Sequence, residues 1–500
     1  MGVGMGAEHD RLRIDVERVY RAHPFAREVA RRLLEAGHET VLIGGVVRDA
    51  LLAQWQGDDD WAPEEVDLAT AALPDEVRRL FRDRKVVEVG KAFGVLKVLG
   101  PDGRAYEVAT FRVEGEYDGR RPRRVELVRS LEQDVKRRDF TVNGLAAHPL
   151  TGEVIDLVGG VPDLKRKIIR AIGDPDARFR EDYLRLLRAV RFACKLDATL
   201  EPRTRAAIRR HRDGLLRISA ERVRDELLAM LRTPRSAKGI QLMDELGLLE
   251  RVLPEVAACK GVPQPEVYHP EGDVYTHTVL ALRIADRFIE DPLVKLALLL
   301  HDVGKREALE RNQHKNAAGH DALGAQKAEA VCRRLRLSHA ETELVAFLVK
   351  EHQRVGHFPE MGQGKQVRFL KTREDATKPL EAFRARFPGF AKLVQLMIAD
   401  CQASAMKARG WLPVLERLPR LLIRLRELER LTRARKLIDG HDLIRLGVKP
   451  GPQLGRLLER IYDKIYAGEL PSREAALAYA RRLVEAELRE GQGPQERTGR

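Results

Sequence analysis

The first third of the chain reads as short apolar runs. Val41-Leu42-Ile43 is wholly apolar and breaks into Gly44-Gly45, followed by the helix-compatible Val46-Val47-Arg48-Asp49. Further on, Val86-Val87-Glu88-Val89, Val95-Leu96-Lys97-Val98 and Tyr106-Glu107-Val108-Ala109-Thr110-Phe111-Arg112 are β-rich runs separated by glycines. Together they predict a small mixed sheet. Between them, Leu73-Pro74-Asp75-Glu76-Val77 has the proline and acids of a helix start. The period then lengthens. Residues 178–192 predict one amphipathic helix, with Asp182, Arg185 and Arg188 at i, i+3 and i+6 along one side. An apolar, buried-looking run follows at 296–300, and helical, basic segments dominate from Trp411 onward.

Composition supports several domains rich in helix. Five hundred residues at 44% hydrophobic bury ample core, enough for about three domains or more. Aromatic residues are only 5%, while Leu, Ala, Arg and Glu dominate, which favours helix. The net charge of +14 points to a polyanionic partner, either nucleic acid or an anionic membrane surface. No apolar run approaches the ~20 residues that span a bilayer. Residues 1–20 carry charges throughout and lack a signal-peptide core, so 1–21 reads as a leader. RNA or DNA is therefore the better partner. Cys194, Cys259, Cys332 and Cys401 are far apart with no Cys-x-x-Cys pair, the pattern of a reduced cytoplasmic protein with structural thiols.

The chemistry begins at the glycine pair. A strand breaking through glycines into a helix hands backbone N–H groups to a phosphate. Glu65 and Asp67 stand at i and i+2 in a strand-like segment, so both carboxylates face one side. Carboxylates beside a phosphate cradle suit Mg²⁺. Gly44-Gly45-x-Val47-Arg48-Asp49 followed by Glu65-x-Asp67-x-Ala69-Thr70 resembles the head of class II nucleotidyltransferases, the CCA-adding tRNA nucleotidyltransferases and bacterial poly(A) polymerases. Where that family usually carries Asp, this chain has Glu65, which keeps the charge and moves the oxygens outward.

The resemblance implies a set of roles. Glu107 falls where the family has its third metal carboxylate, giving two Mg²⁺ ions on Glu65, Asp67 and Glu107, with the triphosphate met by Gly44 and Gly45 N–H groups and by Arg48. Arg137-Arg138-Asp139-Phe140-Thr141-Val142-Asn143 matches the second motif, placing Arg138, Asp139 and Asn143 around sugar and phosphates, and Arg120-Arg121-Pro122 lies in a loop before it. Asp139 or Asn143 would meet a ribose 2′-hydroxyl. A hinge is implied by 156–164. Glu181-Asp182-x-x-Arg185 matches the base-reading motif. Cytosine and adenine share an amine donor beside a ring-nitrogen acceptor, so a carboxylate and a guanidinium can select them over uracil and guanine. Arg188 and Arg191 then meet phosphates, and Ser219-Ala220-Glu221-Arg222-Val223 reads as a Ser-capped structural helix start.

A second metal site is implied further on. After His269-Pro270-Glu271-Gly272-Asp273, the ordered set His277, His301-Asp302 and Asp400 resembles the signature of HD-domain metal phosphohydrolases. These four are the expected ligands, His320 and His352 are candidates for a second ion or a phosphate contact, and Lys305 is a further phosphate contact. The metal is Mg²⁺ or a transition metal, and the implied substrates are phosphomonoesters or 2′,3′-cyclic phosphates. Gly447-Val448-Lys449-Pro450-Gly451-Pro452-Gln453-Leu454-Gly455 resembles the tRNA-gripping tail of HD-bearing CCA enzymes, whereas His441-Asp442 reads as a helix cap.

The expectation is a multi-domain α+β protein: leader 1–21, nucleotidyltransferase head with a small mixed sheet 22–158, all-α neck 159–255, HD domain 256–410 and helical tail 411–500. Expected partners are tRNA, ATP and CTP, with no membrane. The alternatives are a poly(A) polymerase, an enzyme adding only CC or only A, and a tRNA-binding pseudoenzyme; the HD domain and tail favour CCA addition.

Overall fold

The computed structural model describes residues 12–89, 94–117, 122–370, 379–404, 409–432 and 437–490. Arg120 and Arg121, most of the leader and the extreme tail lie outside them. The chain divides into two units, Met1–Ala257 and Ala258–Arg500. Among the described residues no helix is long and apolar enough to cross a membrane.

The first unit is built on a seven-stranded mixed sheet. Its strands are β1 (Thr40–Ile43), β2 (Asp67–Thr70), β3 (Val86–Glu88), β4 (Val95–Leu99), β5 (Ala105–Thr110), β8 (Ala146–Ala147) and β9 (Val154–Ile155), in the order β3-β4-β5-β2-β1-β8-β9. Arg112–Tyr117 (β6) and Pro122–Leu127 (β7) form a separate hairpin. β1 is buried along its whole length because it lies between neighbours, which is why its sequence is continuously apolar. β2 and β5 pair in parallel with Asp67 opposite Glu107, and β4 and β5 pair antiparallel with Lys97 opposite Glu107. Period-two alternation therefore lays Lys97, Glu107 and Asp67 in a row across three strands. Below the sheet, Val41, Ile43, Ala69, Phe111, Leu131 and Val135 share one apolar cluster.

Helices complete this unit, except that in the neck, expected to be all-α, Ile168–Ile169 and Thr199–Leu200 pair as two short parallel strands. Residues 178–192 do not form the single helix that their periodicity predicts. Pro175–Glu181 ends at Asp182, whose backbone is extended, and a second helix runs Arg185–Lys195. Asp182 Oδ1 accepts the Leu184 N–H at 3.0 Å, a local bond that competes with the helical ladder and turns the chain. The Ala220–Leu231 helix packs on the Arg185–Lys195 helix. Ser219 occupies its N-cap position, without the expected side-chain capping bond.

Among the described residues the second unit is all helical. Val274–Ala285, Pro292–Leu300, His320–Arg334, His339–Glu351 and Pro379–Ala403 pack together. Leu296, Leu298, Leu299 and Leu300 are fully or almost fully buried, so the doublet His301-Asp302 emerges from the core at the end of an apolar helix. A separate apolar cluster, with Leu443, Leu457, Ile461 and Ala480, holds the helices after residue 437. There Asp442 accepts the Asp439 N–H and pairs with Arg473. This is the capping role read for the second His-Asp doublet.

Candidate active site and metal centre

In the antiparallel pair β1/β2 the end of one strand lies beside the start of the other, so Gly44 and Gly45 are carried next to Glu65 and Asp67. Gly44 has φ +79°, which a side chain would strain, and a Cβ there would come 3.5 Å from Arg138 Nη1. Its N–H is given to the Leu145 carbonyl at 2.8 Å. The amides left for an anion are thus those of the first turn of the Gly45–Gln56 helix, and the role of Gly44 is conformational.

One cleft of about 600 Å³ is lined by Gly44, Gly45, Arg48, Glu65, Asp67, Arg138, Asp139, Asn143, Asp182, Arg185, Arg188 and Arg191. Glu107 is absent from that lining and faces a smaller adjoining hollow, which it shares with Asp67, Arg137 and Arg138. Glu65 precedes β2 in irregular chain rather than standing in the strand. The Asp67 carboxyl is pushed up to about 6 by reduced solvation within the cleft and by the charges of Glu107 and Glu65, although the residue still reaches solvent. Carboxylates gathered closely enough to raise Asp67 in this way are a donor set suited to a hard divalent cation.

A continuous set of hydrogen bonds orders the cleft. Arg48, buried, donates Nη1 to Asn143 Oδ1 at 2.5 Å and clasps Asp49 through Nε and Nη2 at 2.7 and 2.9 Å. Its fork is therefore spent on Asp49 and not offered whole to a ligand. Asn143 Nδ2 donates to Asp139 Oδ1 (3.0 Å), and Arg188 Nε donates to Asp139 Oδ2 (2.8 Å). Burial opposes ionisation of Asp139, but Arg188 and Asn143 hold its carboxyl below the usual range. Arg188 and Arg191 both reach Glu226, and Lys195 reaches Asp49. Asp134, buried, takes Arg137 and Arg138 together.

At the base-reading position the expected pair is rearranged. Asp182 receives the two prongs of Arg222 at 3.1 and 2.6 Å. Arg185 donates to Glu181 Oε2 (2.5 Å) and to the carbonyls of Arg178 (2.9 Å) and Arg137 (3.1 Å). Arg222 and Lys195 line the cleft although sequence reasoning gave Arg222 only a structural role and passed over Lys195. Their signal was faint: two cations among 90 Lys and Arg residues.

In the second unit the candidate ligands converge. The His277-His301-Asp302 and Asp302-His320-His352 groups each offer ligand atoms within 4.8 Å of one another, so Asp302 is common to both. Asp400 Oδ1 lies 2.9 Å from His277 Nε2 and 3.7 Å from His301 Nε2. Lys305 Nζ pairs with Asp302 Oδ2 at 2.6 Å and donates to Gln264. Burial opposes charge on Asp302 and Asp400, but the imidazoles, and Lys305 for Asp302, hold both well below the carboxylate range. Burial first, and then the neighbouring His301, pull His352 down to about 4, which keeps that ring neutral. His301 Nε2 lies 3.1 Å from Asp302 Oδ2 and 3.7 Å from Asp400 Oδ1; burial opposes charge on the ring, but these two carboxylates push it up to about 10. Imidazole nitrogens gathered with carboxylates in this way are a donor set that fits a metal. His269 and Glu271, which stand beside His277, were in plain view as His-x-Glu six residues before it but received no role.

Sheet, cleft and helical neck define a nucleotidyltransferase. Residues 40–170 match the family model of the poly A polymerase head domain, 197–260 that of the probable RNA and SrmB-binding site of polymerase A, and 274–379 that of the HD domain. The CCA-adding enzyme of Levilactobacillus brevis is 33% identical over 91% of this chain and 96% of its own length. That of Bacillus subtilis is 43% identical over 45% of this chain and 55% of its own. The crystal structure of the Bacillus stearothermophilus CCA-adding enzyme with CTP superposes with a TM-score of 0.62 at 28% identity, covering 94% of this chain and 99% of that one. The chain belongs to the CCA-adding enzyme family, the tRNA nucleotidyltransferases, and carries an HD domain.

Proposed function

We propose that the first unit adds C, C and A to tRNA 3′ ends from CTP and ATP without a nucleic-acid template, by two-metal nucleotidyl transfer. The observation that carries this is the cleft in which the strand–helix turn, Glu65, Asp67 and the neck arginines meet. Glu65, Asp67 and Glu107 would hold Mg²⁺, which when bound supplies neutralisation of the triphosphate and acidification of the attacking hydroxyl. The first-turn amides from Gly45, with Arg138, Arg188 and Arg191, receive phosphates. Arg48 and Asn143 brace Asp139, and the ribose 2′-hydroxyl meets Asp139 or Asn143. Asp182 and Arg185 read the base edge. An adjoining cleft of about 660 Å³ shares Gly45, Arg48, Glu65 and Asp67 and adds Trp61, Lys167 and Arg235, room for the acceptor RNA end on the far side of the carboxylates.

For the second unit the reading is a phosphohydrolase acting on phosphomonoesters or 2′,3′-cyclic phosphates during 3′-end repair. His277, His301, Asp302 and Asp400 would hold one ion and His320 and His352 a second, supplying a metal-activated water when bound. Lys305 screens Asp302 and faces substrate phosphate. The domain scheme is leader 1–21, head 22–158, neck 159–255, HD domain 256–410 and tRNA-binding tail 411–500, with one correction. Residues 12–21 of the leader belong to the head, where Val19 and Tyr20 are buried and the Tyr20 hydroxyl donates to the Pro149 carbonyl at 2.7 Å.

The test is incorporation on tRNA transcripts ending at the discriminator base, at C and at CC, with each nucleoside triphosphate and Mg²⁺, resolved to one nucleotide. Addition of C, C and A followed by a halt is expected. A-only growth without a halt means poly(A) synthesis, and no growth overturns the reading.

A further inference from the structure

Four imidazoles surround Asp302 and Asp400, and three of them are oriented in one way. His301, His320 and His352 each donate Nδ1–H to the main-chain carbonyl three residues earlier, of Leu298, Ala317 and Val349, at 2.6, 2.8 and 2.6 Å. His301 and His352 stand at helix C-termini, where such carbonyls are spared from the helical ladder, whereas His320 opens its helix and the Ala317 carbonyl, in the turn before it, also accepts the His320 N–H at 3.1 Å. His277 lies inside the Val274–Ala285 helix, and the carbonyl three residues before it, of Val274, already accepts the Thr278 hydroxyl at 2.8 Å. Its Nδ1 turns instead to Glu271 Oε1 at 2.7 Å, and the same oxygen takes His269 Nδ1 at 2.9 Å. The Glu271 side chain is 9% exposed, and its other oxygen is buried with no partner among the described residues.

We propose that Glu271 is a positioning residue of the HD centre: it holds the Nδ1–H of His277, fixes the tautomer, and aims Nε2 at the metal. The proposal rests on the reading of that centre as a metal site. A carboxylate buried with one oxygen unsatisfied is costly to the fold. Among the described residues the side-chain partners of Glu271 are two imidazoles, which is what such a cost secures. A carboxylate behind a ligating histidine sets ring orientation and raises the basicity of the metal-facing nitrogen. His269 stands edge-on to His277, ring centroids 4.9 Å apart, and steadies Glu271 from the other side. At 2.7 Å, Glu271 Oε1 and His277 Nδ1 are at direct hydrogen-bond distance.

The experiment uses the full chain, stripped by chelator and titrated with Mn²⁺ by calorimetry and elemental analysis. Equivalents lost in H301A combined with D302A define the HD site. E271A should weaken that site ~10- to 100-fold, while E271Q, which keeps an oxygen for Nδ1–H, should stay within about threefold of wild type. E271D, which draws the oxygen back, should fall between them and serves if E271A does not fold. With Co²⁺, the visible spectrum of E271A should change while that of E271Q is kept. E271A affinity within about twofold of wild type overturns the positioning role alone. Wild type that takes up no ion at this site overturns the metal reading itself. Loss of a whole equivalent in H269A would place an ion on His269, Glu271 and His277 and overturn the hydrogen-bond role.

Discussion

Replacing Asp182 by Ala removes three hydrogen bonds at once, those from the Leu184 N–H and from Nη1 and Nη2 of Arg222. The first closes the corner between two helices and is worth about 1 kcal/mol, as a capping bond is. The ion pair is partly exposed, 31% and 16% at the two side chains, so its net worth is about 1–2 kcal/mol. The neck should therefore lose about 2–3 kcal/mol, read as a shifted urea midpoint. Selectivity is a separate quantity. Loss of the amine acceptor should cost about 1–3 kcal/mol of discrimination, a ~5- to 150-fold rise in the kcat/KM ratio of UTP or GTP to CTP or ATP. D182N, whose amide adds a donor, should move that ratio further. R222Q is the control, since it loses the ion pair and keeps the carboxylate: stability should fall while selectivity holds. A ratio in D182A within about twofold of wild type, with transfer continuing, would refute the base-reading argument.

Asp67→Asn should abolish transfer yet stabilise the metal-free protein. The carboxyl moves from 3.8 to about 6 on folding, so stability is fully present below the lower value and is lost as pH rises through the upper. Calorimetry in EDTA should find the variant's advantage above pH ~6 and none below pH ~4; an advantage independent of pH would sink the carboxylate cluster. H301A combined with D302A should reduce phosphohydrolysis to background and spare CCA synthesis, and loss of both together would mean the activities are not separable. Asp139→Ala removes a buried acceptor from Arg188 and Asn143, which keep Glu226 and Arg48, so unfolding should require about 1–3 kcal/mol less. A cycle with Arg188→Ala that gives no coupling would refute that bond's role.

The α+β class and the mixed sheet were legible because β1, β4 and β5 carry period-two or fully apolar runs bounded by glycines. The ordered histidines and acids of the second unit were legible for a different reason: their residue types are few enough to stand out. What periodicity hid was the break at Asp182. One residue in an extended conformation leaves the helical spacing on either side nearly in phase, and only the capping habit of Asp hinted at it. Commitments between side chains were equally hidden. That the Gly44 N–H goes to Leu145, that the Arg48 fork goes to Asp49, and that Arg222 takes Asp182 depends on contacts 40 to 101 residues apart or on a local rotamer, which no spacing encodes. Glu271 went unassigned because a lone acid before a helix is usually a solvated cap.

On the base-reading role proposed for Asp182, the corner there couples two things that evolution would otherwise vary apart. The same carboxylate terminates one helix, starts the next and fastens Arg222. A lineage drifting at this position would lose structural integrity in the same step in which it loosened its nucleotide alphabet. Few single substitutions therefore lead from one alphabet to another. The letters this chain writes are protected by the architecture that holds it together, and a change of alphabet would have to begin with a compensating change elsewhere in the neck.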